Sequence, residues 1–140
     1  MSTFLADQID AASREAHSVI TRTAASRTDI AAVRDDRPGP FAQQLLDDLA
    51  ARGRARKQQK CAHLRRGPGV AWLLAWSPER LRCHSCASAA MLQAARSAED
   101  DVCDVCRQTA VPLHVIVGAA GPVLLAFGTC KSCYQREKAA

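Results

Sequence analysis

Apolar residues in the first part of the chain recur at the spacing of an α-helix. Within residues 3–24, positions three or four apart are occupied by Leu5, Ile9, Ala12, Ala16, Val19 and Ile20. This spacing predicts an amphipathic helix, and a weaker helical segment is expected to continue through Ile30 and Val33. The sequence Pro38-Gly39-Pro40 then interrupts the pattern, since proline has no amide proton to donate within a helix. A second helix is predicted from about residue 41, with an apolar face made by Phe41, Leu45, Leu46 and Leu49.

After residue 60 the pattern changes to short apolar runs with β-branched and aromatic residues. One run covers residues 70–76 and is followed by a return strand near Leu81. A second pair of runs, residues 113–117 and 123–127, is joined by the turn sequence GAAGP. Each pair predicts a β-hairpin. Helical sequences follow Cys86 and Cys133, so each hairpin is expected to lead into a helix.

Seven cysteines and one histidine form four close pairs along this second part of the chain. The pairs are Cys61 with His63, Cys83 with Cys86, Cys103 with Cys106, and Cys130 with Cys133. A close pair on a tight turn supplies two ligands, and two such pairs complete the tetrahedron that structural Zn²⁺ sites use. Counting His63 as a ligand makes two full sites with no thiol left over. The sequence therefore predicts two structural zinc ions per chain, held by these eight residues.

The order of the pairs bears on which of them share a metal ion. Ligand pair, hairpin, ligand pair and helix follow one another twice, as in an internal duplication. This layout favours sequential sharing, in which the first two pairs bind one ion and the last two bind the other. An interleaved arrangement, joining the first pair to the third and the second to the fourth, is the alternative. In both repeats the second pair opens a helix, where the dipole and free amides stabilise thiolates.

Other cysteine chemistry fits the sequence less well. Disulfides would leave one of seven thiols unpaired, and the chain start has neither the basic nor the apolar region of a secretory signal. We therefore expect a cytoplasmic protein. Iron–sulfur motifs commonly bunch three cysteines in a short stretch, unlike these separated pairs. No membrane span is expected, since the longest uncharged stretch is interrupted by proline and glycine. Both zinc sites are expected to be filled by protein ligands, which predicts that the chain is not an enzyme.

The ligand order resembles a known architecture, the treble-clef zinc finger. The resemblance covers residues 61–138, as CAH…CHSC-helix and CDVC…CKSC-helix, and the first unit departs from it by having C-x-H in place of C-x-x-C. The alanine- and arginine-rich style is also similar to that of small zinc-finger proteins of high-GC bacteria and their mobile elements. The implied fold is small, α+β and metal-bound: a helical region at 1–59, a first finger at 60–99 and a second at 100–140.

Charge is distributed unevenly along the chain. Residues 1–50 carry eight acids and five arginines, a net of −3, whereas residues 51–82 carry nine bases and one acid, a net of +8. Arginine suits phosphate oxygens and base edges, so this block is the candidate nucleic-acid-binding segment, for DNA or RNA. Its bases are Arg52, Arg54, Arg56, Lys57, Lys60, Arg65, Arg66, Arg80 and Arg82. Trp72 and Trp76 are candidate stacking surfaces, or else belong to the hairpin core.

The alternative function is a zinc-stabilised adapter between proteins. In that hypothesis the acidic, amphipathic N-terminal helices form a homodimer or dock a protein partner. The apolar hairpin at residues 114–128 supports it if that hairpin exceeds what one small unit can bury. Of the remaining features, His114 is interpreted as a core or surface histidine of a strand. The acidic run at residues 99–104, which includes Asp104, is interpreted as a solvated linker and helix cap.

Overall fold

The computed structural model describes residues 3–26, 30–33, 38–66, 69–95 and 101–139 of the chain. Four helices, six strands and one 3₁₀ helix lie in these ranges. In chain order they are α1 (Thr3–Ser26), β1 (Ile30–Val33), α2 (Pro40–Arg54), β2 (Gln59–Lys60), the 3₁₀ helix (Ala62–Arg66), β3 (Ala71–Leu74), β4 (Ser77–Arg82), α3 (His84–Ala95), β5 (His114–Ala120), β6 (Val123–Thr129) and α4 (Lys131–Ala139).

The six strands form one mixed sheet in the order β1-β5-β6-β3-β4-β2. Strands β3 and β4 are one antiparallel hairpin, and β5 and β6 are the other. The hairpins join edge to edge through parallel pairing of β3 with β6, which sets Trp72 beside Leu124 and Leu74 beside Ala126. Strands β1 and β2 each add a parallel strand at one end. The two repeats therefore share a single sheet.

Helices cover both faces of this sheet. Successive side chains of a strand point to opposite faces, so a strand of apolar residues has to be covered on both. Trp72 and Leu74 of β3 pack in one cluster with Ala16 of α1 and Ala87 of α3. Leu73, between them, packs on the other face with residues of α2 and with Tyr134 of α4. All four residues of β3 are buried as a result. The outcome is a small α+β protein with a helical layer on each side of a mixed sheet.

The face under α2 and α4 holds the largest fully buried side chain, Phe127. Its ring meets that of Phe41 edge to face, with centroids 5.0 Å apart. Burying a side chain of this size stabilises the fold by roughly 1.5–3 kcal/mol. Both hairpins contribute to this core and to the one on the opposite face. The strands of the second hairpin are thus covered within the chain, so a surplus apolar hairpin no longer supports an adapter.

Helix α2 begins without a side-chain cap of its own. Its N-cap is Gly39, and the carboxylate of Glu137 on α4 takes the capping role instead. Glu137 Oε1 accepts a hydrogen bond from the Phe41 amide at 2.6 Å, and Oε2 accepts one from Ala42 at 3.4 Å. A Cβ on residue 39 would overlap that carboxylate, so glycine is needed there. Helix α4 therefore fixes the start of α2, although nearly a hundred residues separate them in sequence.

The structure confirms most of the predicted elements and corrects one. The two N-terminal helices lie at Thr3–Ser26 and Pro40–Arg54, as expected. The weaker helical continuation through Ile30 and Val33 is wrong, because residues 30–33 form β1 and pair in parallel with β5. Backbone pairing with a distant strand has overridden the local periodicity there. Strand β5 also runs further than predicted, to Ala120, and only Gly121 and Pro122 make the turn.

The predicted segments 1–59, 60–99 and 100–140 all contribute to the two apolar clusters. The last boundary lies outside the described residues, and independent folding of any segment stays a prediction. None of the helices in the described part of the chain combines the length and apolarity that a membrane span needs.

Candidate metal centres

Four cysteines meet where the second hairpin ends. Cys103 and Cys106 lie in a turn before β5, Cys130 follows β6 directly, and Cys133 is in the first turn of α4. Their Sγ atoms all lie within 4.8 Å of one another, and those of Cys106 and Cys130 are 3.9 Å apart. We call this group the four-cysteine cluster. Two of its members, Cys103 and Cys133, are fully buried.

Three cysteines and a histidine meet in the same way at the end of the first hairpin. Cys61 precedes the 3₁₀ helix that contains His63, Cys83 follows β4 directly, and Cys86 is in the first turn of α3. His63 Nδ1 lies 3.6 Å from Cys83 Sγ and 3.5 Å from Cys86 Sγ. We call these four residues, whose ligand atoms lie within 4.8 Å of one another, the mixed cluster. Its histidine is exposed and its cysteines are half-buried.

The spacing of the donor atoms fits a tetrahedral metal ion. Zn–S bonds near 2.3 Å and Zn–N bonds near 2.0 Å place tetrahedral ligands about 3.8 Å apart for two sulfurs and about 3.5 Å apart for sulfur and nitrogen. The separations given above agree with both values. A disulfide would bring its sulfurs to about 2.05 Å, and all seven cysteines are free. Each cluster can hold one metal ion, and the grouping is the sequential one rather than the interleaved alternative.

In the mixed cluster, neighbouring groups lower the pKa of one thiol and raise the pKa of another. Burial acts to raise the pKa of Cys61, but hydrogen bonds from the Cys83 amide and from His63 outweigh it and lower this pKa to about 6. The Cys83 amide nitrogen is 3.2 Å from Cys61 Sγ. Interaction with the Cys83 sulfur, together with burial, raises the pKa of Cys86 to about 11. Thiolates this close repel one another, and a bound cation removes that repulsion.

In the four-cysteine cluster, too, the pKa of one thiol is lowered and the pKa of another is raised. Hydrogen bonds from the Ser132 hydroxyl and the Cys133 amide lower the pKa of Cys130 to about 6. Burial and the neighbouring sulfurs, Cys130 first, raise the pKa of Cys133 to about 12, while Arg136 works against them. The guanidinium of Arg136 donates a hydrogen bond to Cys133 Sγ at 3.1 Å. A donor of this kind orients a metal ligand and balances part of its charge.

Asp104 ties the first ligand turn of the four-cysteine cluster to β6. Its backbone amide donates to the Gly128 carbonyl at 2.8 Å, and its carboxylate Oδ2 accepts from the Gly128 amide at 2.7 Å. Burial raises the pKa of this carboxyl group above its usual value. The interpretation of Asp104 as part of a solvated linker is therefore wrong. Its position between two ligands, in C-D-V-C, is the sequence signal that could have indicated a structural role.

The basic block lies along β4 and beside the mixed cluster. Five of its side chains are exposed and come from the end of α2, the segment after it, β2 and β4; we call them the basic edge: Arg54, Arg56, Lys57, Lys60 and Arg80. Arg52 and Arg82 are half-buried instead. Arg52 donates to Gln58 and to the Pro78 carbonyl, and Arg82 donates to Ser77. The side chains of Arg65 and Arg66 lie outside the described set.

The two tryptophans occupy different environments. Trp72 is 4% exposed and belongs to the core, so it offers no stacking surface. Its indole Nε1 is buried and finds no hydrogen-bond partner among the residues that the structure describes. Trp76, in the turn between β3 and β4, is 39% exposed. Only Trp76 retains the expected stacking face.

Two residues that the sequence pattern did not identify support the four-cysteine cluster, Asp104 and Arg136, and a third, Glu137, fixes the start of α2. Arg136 follows Cys133 by three residues, a helical spacing that brings the two side chains to the same side of α4. Comparisons of the chain with models of protein families, with curated proteins and with solved structures gave no significant match. Fold and sites together define a small α+β protein with two Cys/His clusters, each able to hold a metal ion.

Proposed function

We propose that this chain is a non-enzymatic zinc protein that binds nucleic acid through its basic edge. In this proposal each cluster holds one Zn²⁺ in a treble-clef-like unit, and the ions act structurally. The chain works in the cytoplasm, where its thiolates stay reduced. Sulfur-rich tetrahedral donor sets favour Zn²⁺, and four protein ligands leave no open position for a substrate.

The observation that carries the proposal is that five exposed basic side chains come from the two strands at one edge of the sheet and from the segment that leads into β2. Arg52 and the Gln58 side chain both donate to the Pro78 carbonyl, which holds the segment after α2 against β4. Parallel pairing then sets Gln59 beside Arg80 and Lys60 beside Leu81. Lys60 and Arg80, twenty residues apart in sequence, thereby lie on neighbouring strands at the same edge of the sheet, with their side chains on opposite faces of it. Such a patch neutralises phosphates and steers a polyanion toward it.

The backbone at Arg56 supports the same proposal. Its φ is 56°, in the left-handed region where glycine is the ordinary residue at a helix end. A side chain in this conformation costs roughly 1 kcal/mol, and the turn here carries an exposed arginine nonetheless. Exposure of Trp76 at the end of β3 adds an aromatic surface for stacking, a contact that single strands use.

Binding measured across a salt series tests the proposal. Phosphate contacts predict that log K falls linearly with log salt for the zinc-loaded chain on duplex and single-stranded oligonucleotides. Replacing Arg54 and Arg56 with glutamine is expected to weaken binding and to reduce the slope by about one for each phosphate that is no longer neutralised. Arg14→Gln with Arg22→Gln is the matched control, since both side chains are exposed on α1.

The proposal fails if the zinc-loaded protein shows no affinity for either oligonucleotide at low salt. It also fails if the α1 control weakens binding as much as the basic-edge variant does, since net charge alone would then explain the affinity. A protein adapter would be the next hypothesis in either case, and the oligomeric state in solution would be its first measurement.

A further inference from the structure

A second surface with basic side chains lies along α4, the helix that carries Cys133. It is a cleft of about 390 Å³ between the start of β5 and one side of α4. The lining residues are His114, Lys131, Tyr134, Gln135 and Lys138. The four that belong to α4 follow one another at intervals of three, one and three residues, so they share one helical face.

The aromatic wall of this cleft is held in place. The rings of His114 and Tyr134 stack with centroids 4.7 Å apart and an interplanar angle of 27°. Lys138 Nζ lies 5.0 Å from the centre of the Tyr134 ring, within the range of a cation–π contact. His114 is itself fixed, because it pairs with Thr129 of β6 and its carbonyl accepts a hydrogen bond from the Thr129 hydroxyl. The aromatic pair thus forms an ordered wall of an open cleft, and the exposed side chains of Lys131, Gln135 and Lys138 border it.

The chemistry of the lining favours an anion. All five side chains can donate hydrogen bonds, and two are ammonium groups. In the described part of the chain, no aspartate or glutamate lines the cleft. Glu137, the acid of α4, is buried and directed at the start of α2. A metal cation would find no carboxylate here, and an apolar ligand would leave the donors unpaired.

We propose that this cleft binds the phosphate group of a nucleotide, whether the nucleotide is free or part of a strand. Lys131 and Lys138 supply the charge, while His114, the Tyr134 hydroxyl and the Gln135 amide complete the donor set. The site is distinct from the basic edge: His114 lies on β5, and Lys60 lies on β2, four strand positions away. At the usual strand spacing this is a separation of about 19 Å. The proposal stands whether or not the basic edge binds nucleic acid.

A chemical-shift titration of the zinc-loaded chain tests this site, with inorganic phosphate as the first probe and chloride at equal ionic strength as the reference. Saturable shifts of the His114 and Tyr134 ring signals are expected, with a dissociation constant on the order of 1 mM. The variant Lys131→Gln with Lys138→Gln is expected to weaken phosphate binding by at least about tenfold, since both ammonium groups are removed. The matched control, Arg14→Gln with Arg22→Gln, removes the same charge from α1, which packs on the opposite face of the sheet.

Adenosine monophosphate and a single-stranded oligonucleotide separate the two sources of the phosphate. Tighter binding of the mononucleotide than of inorganic phosphate, with no further gain for the oligonucleotide, indicates a site for a free nucleotide, whereas equal affinity for all three shows a general anion site and overturns the proposal. If the oligonucleotide binds more tightly than the mononucleotide, and the Lys131 and Lys138 changes abolish that binding, the site contacts the phosphate backbone of a nucleic-acid strand. Zinc content and the melting temperature show that both variants are folded. Shifts that are absent, or that the double variant leaves unchanged, overturn the proposal, and neither result affects the test of the basic edge.

Discussion

The two metal centres are built on the same plan but differ in how far solvent reaches them. Cys103 and Cys133 of the four-cysteine cluster are 0% and 1% exposed, whereas no ligand of the mixed cluster is fully buried and His63 is exposed. The edge strand that flanks each hairpin also differs in length. The hairpin of the four-cysteine cluster has a paired strand on each side, β1 and β3. The other hairpin lies between β6 and β2, and its edge strand β2 has two residues where β1 has four.

This comparison teaches that the environment of a ligand depends on the neighbours of its hairpin, which the ligand spacing does not encode. The two repeats have similar ligand order and similar donor separations. Around the four-cysteine cluster, however, Asp104 and Arg136 add further hydrogen bonds. A closed, supported site of this kind is expected to act mainly on stability. The more open mixed cluster lies beside the basic edge, where exchange with solvent is easier.

The largest expected effect is the loss of a buried ligand. Cys133→Ser removes one thiolate from the four-cysteine cluster and places a hydroxyl where burial is complete. Structural zinc contributes on the order of 10 kcal/mol to small units, so we expect this variant to lose one metal ion and most of its ordered structure. Cys86→Ser, the equivalent change in the mixed cluster, should lose one ion and keep the sheet. Elemental analysis and circular dichroism measure both outcomes; equal unfolding by the two variants would contradict the comparison.

A chelator is expected to remove metal from the two centres at different rates. With a coloured zinc chelator in excess, release should occur in two phases of equal amplitude, and the fast phase belongs to the open mixed cluster. His63→Ala should abolish that fast phase and leave the slow one unchanged. His17→Ala serves as the control, since His17 lies on α1 and belongs to neither cluster. A single phase for the unaltered chain, or a slow phase that changes with His63, would show that burial does not govern release.

A smaller effect is expected at the contact between α4 and α2. Glu137→Ala leaves the amides of Phe41 and Ala42 without their acceptor, which should cost about 2 kcal/mol in the free energy of unfolding. Both metal ions should remain bound, because Glu137 is not a ligand. Glu15→Ala, an exposed change on α1, provides the matched control. Urea denaturation with metal analysis checks this, and loss of zinc from either site would assign Glu137 a different role.

Local features of the fold could be predicted from the sequence, and distant ones could not. The ligand pairs and the two hairpins depend on neighbouring residues, so spacing and turn sequences indicated them. The pairing of β3 with β6 depends on residues some fifty positions apart, and the backbone bonds that form it leave no mark in the residue pattern. The same holds for β1: local spacing predicts a helix at residues 30–33, whereas pairing with the distant strand β5 makes them a strand. Within the basic block, Arg52 and Arg54 are alike in sequence, yet it is Arg52 that reaches the Pro78 carbonyl while Arg54 is exposed.

The parallel contact between β3 and β6 also has a consequence for the order of folding. Residues 71–74 reach their place in the sheet only after residues 123–126 are available, since each pairs with one of the other set. A chain emerging from the ribosome can assemble the ligands of the mixed cluster early, but β3 cannot pair with β6 until the second hairpin has been synthesised. Non-local pairing of this kind slows folding. We expect the partly synthesised chain to expose β3, with a metal ion already bound at the mixed cluster, until the second hairpin has been synthesised.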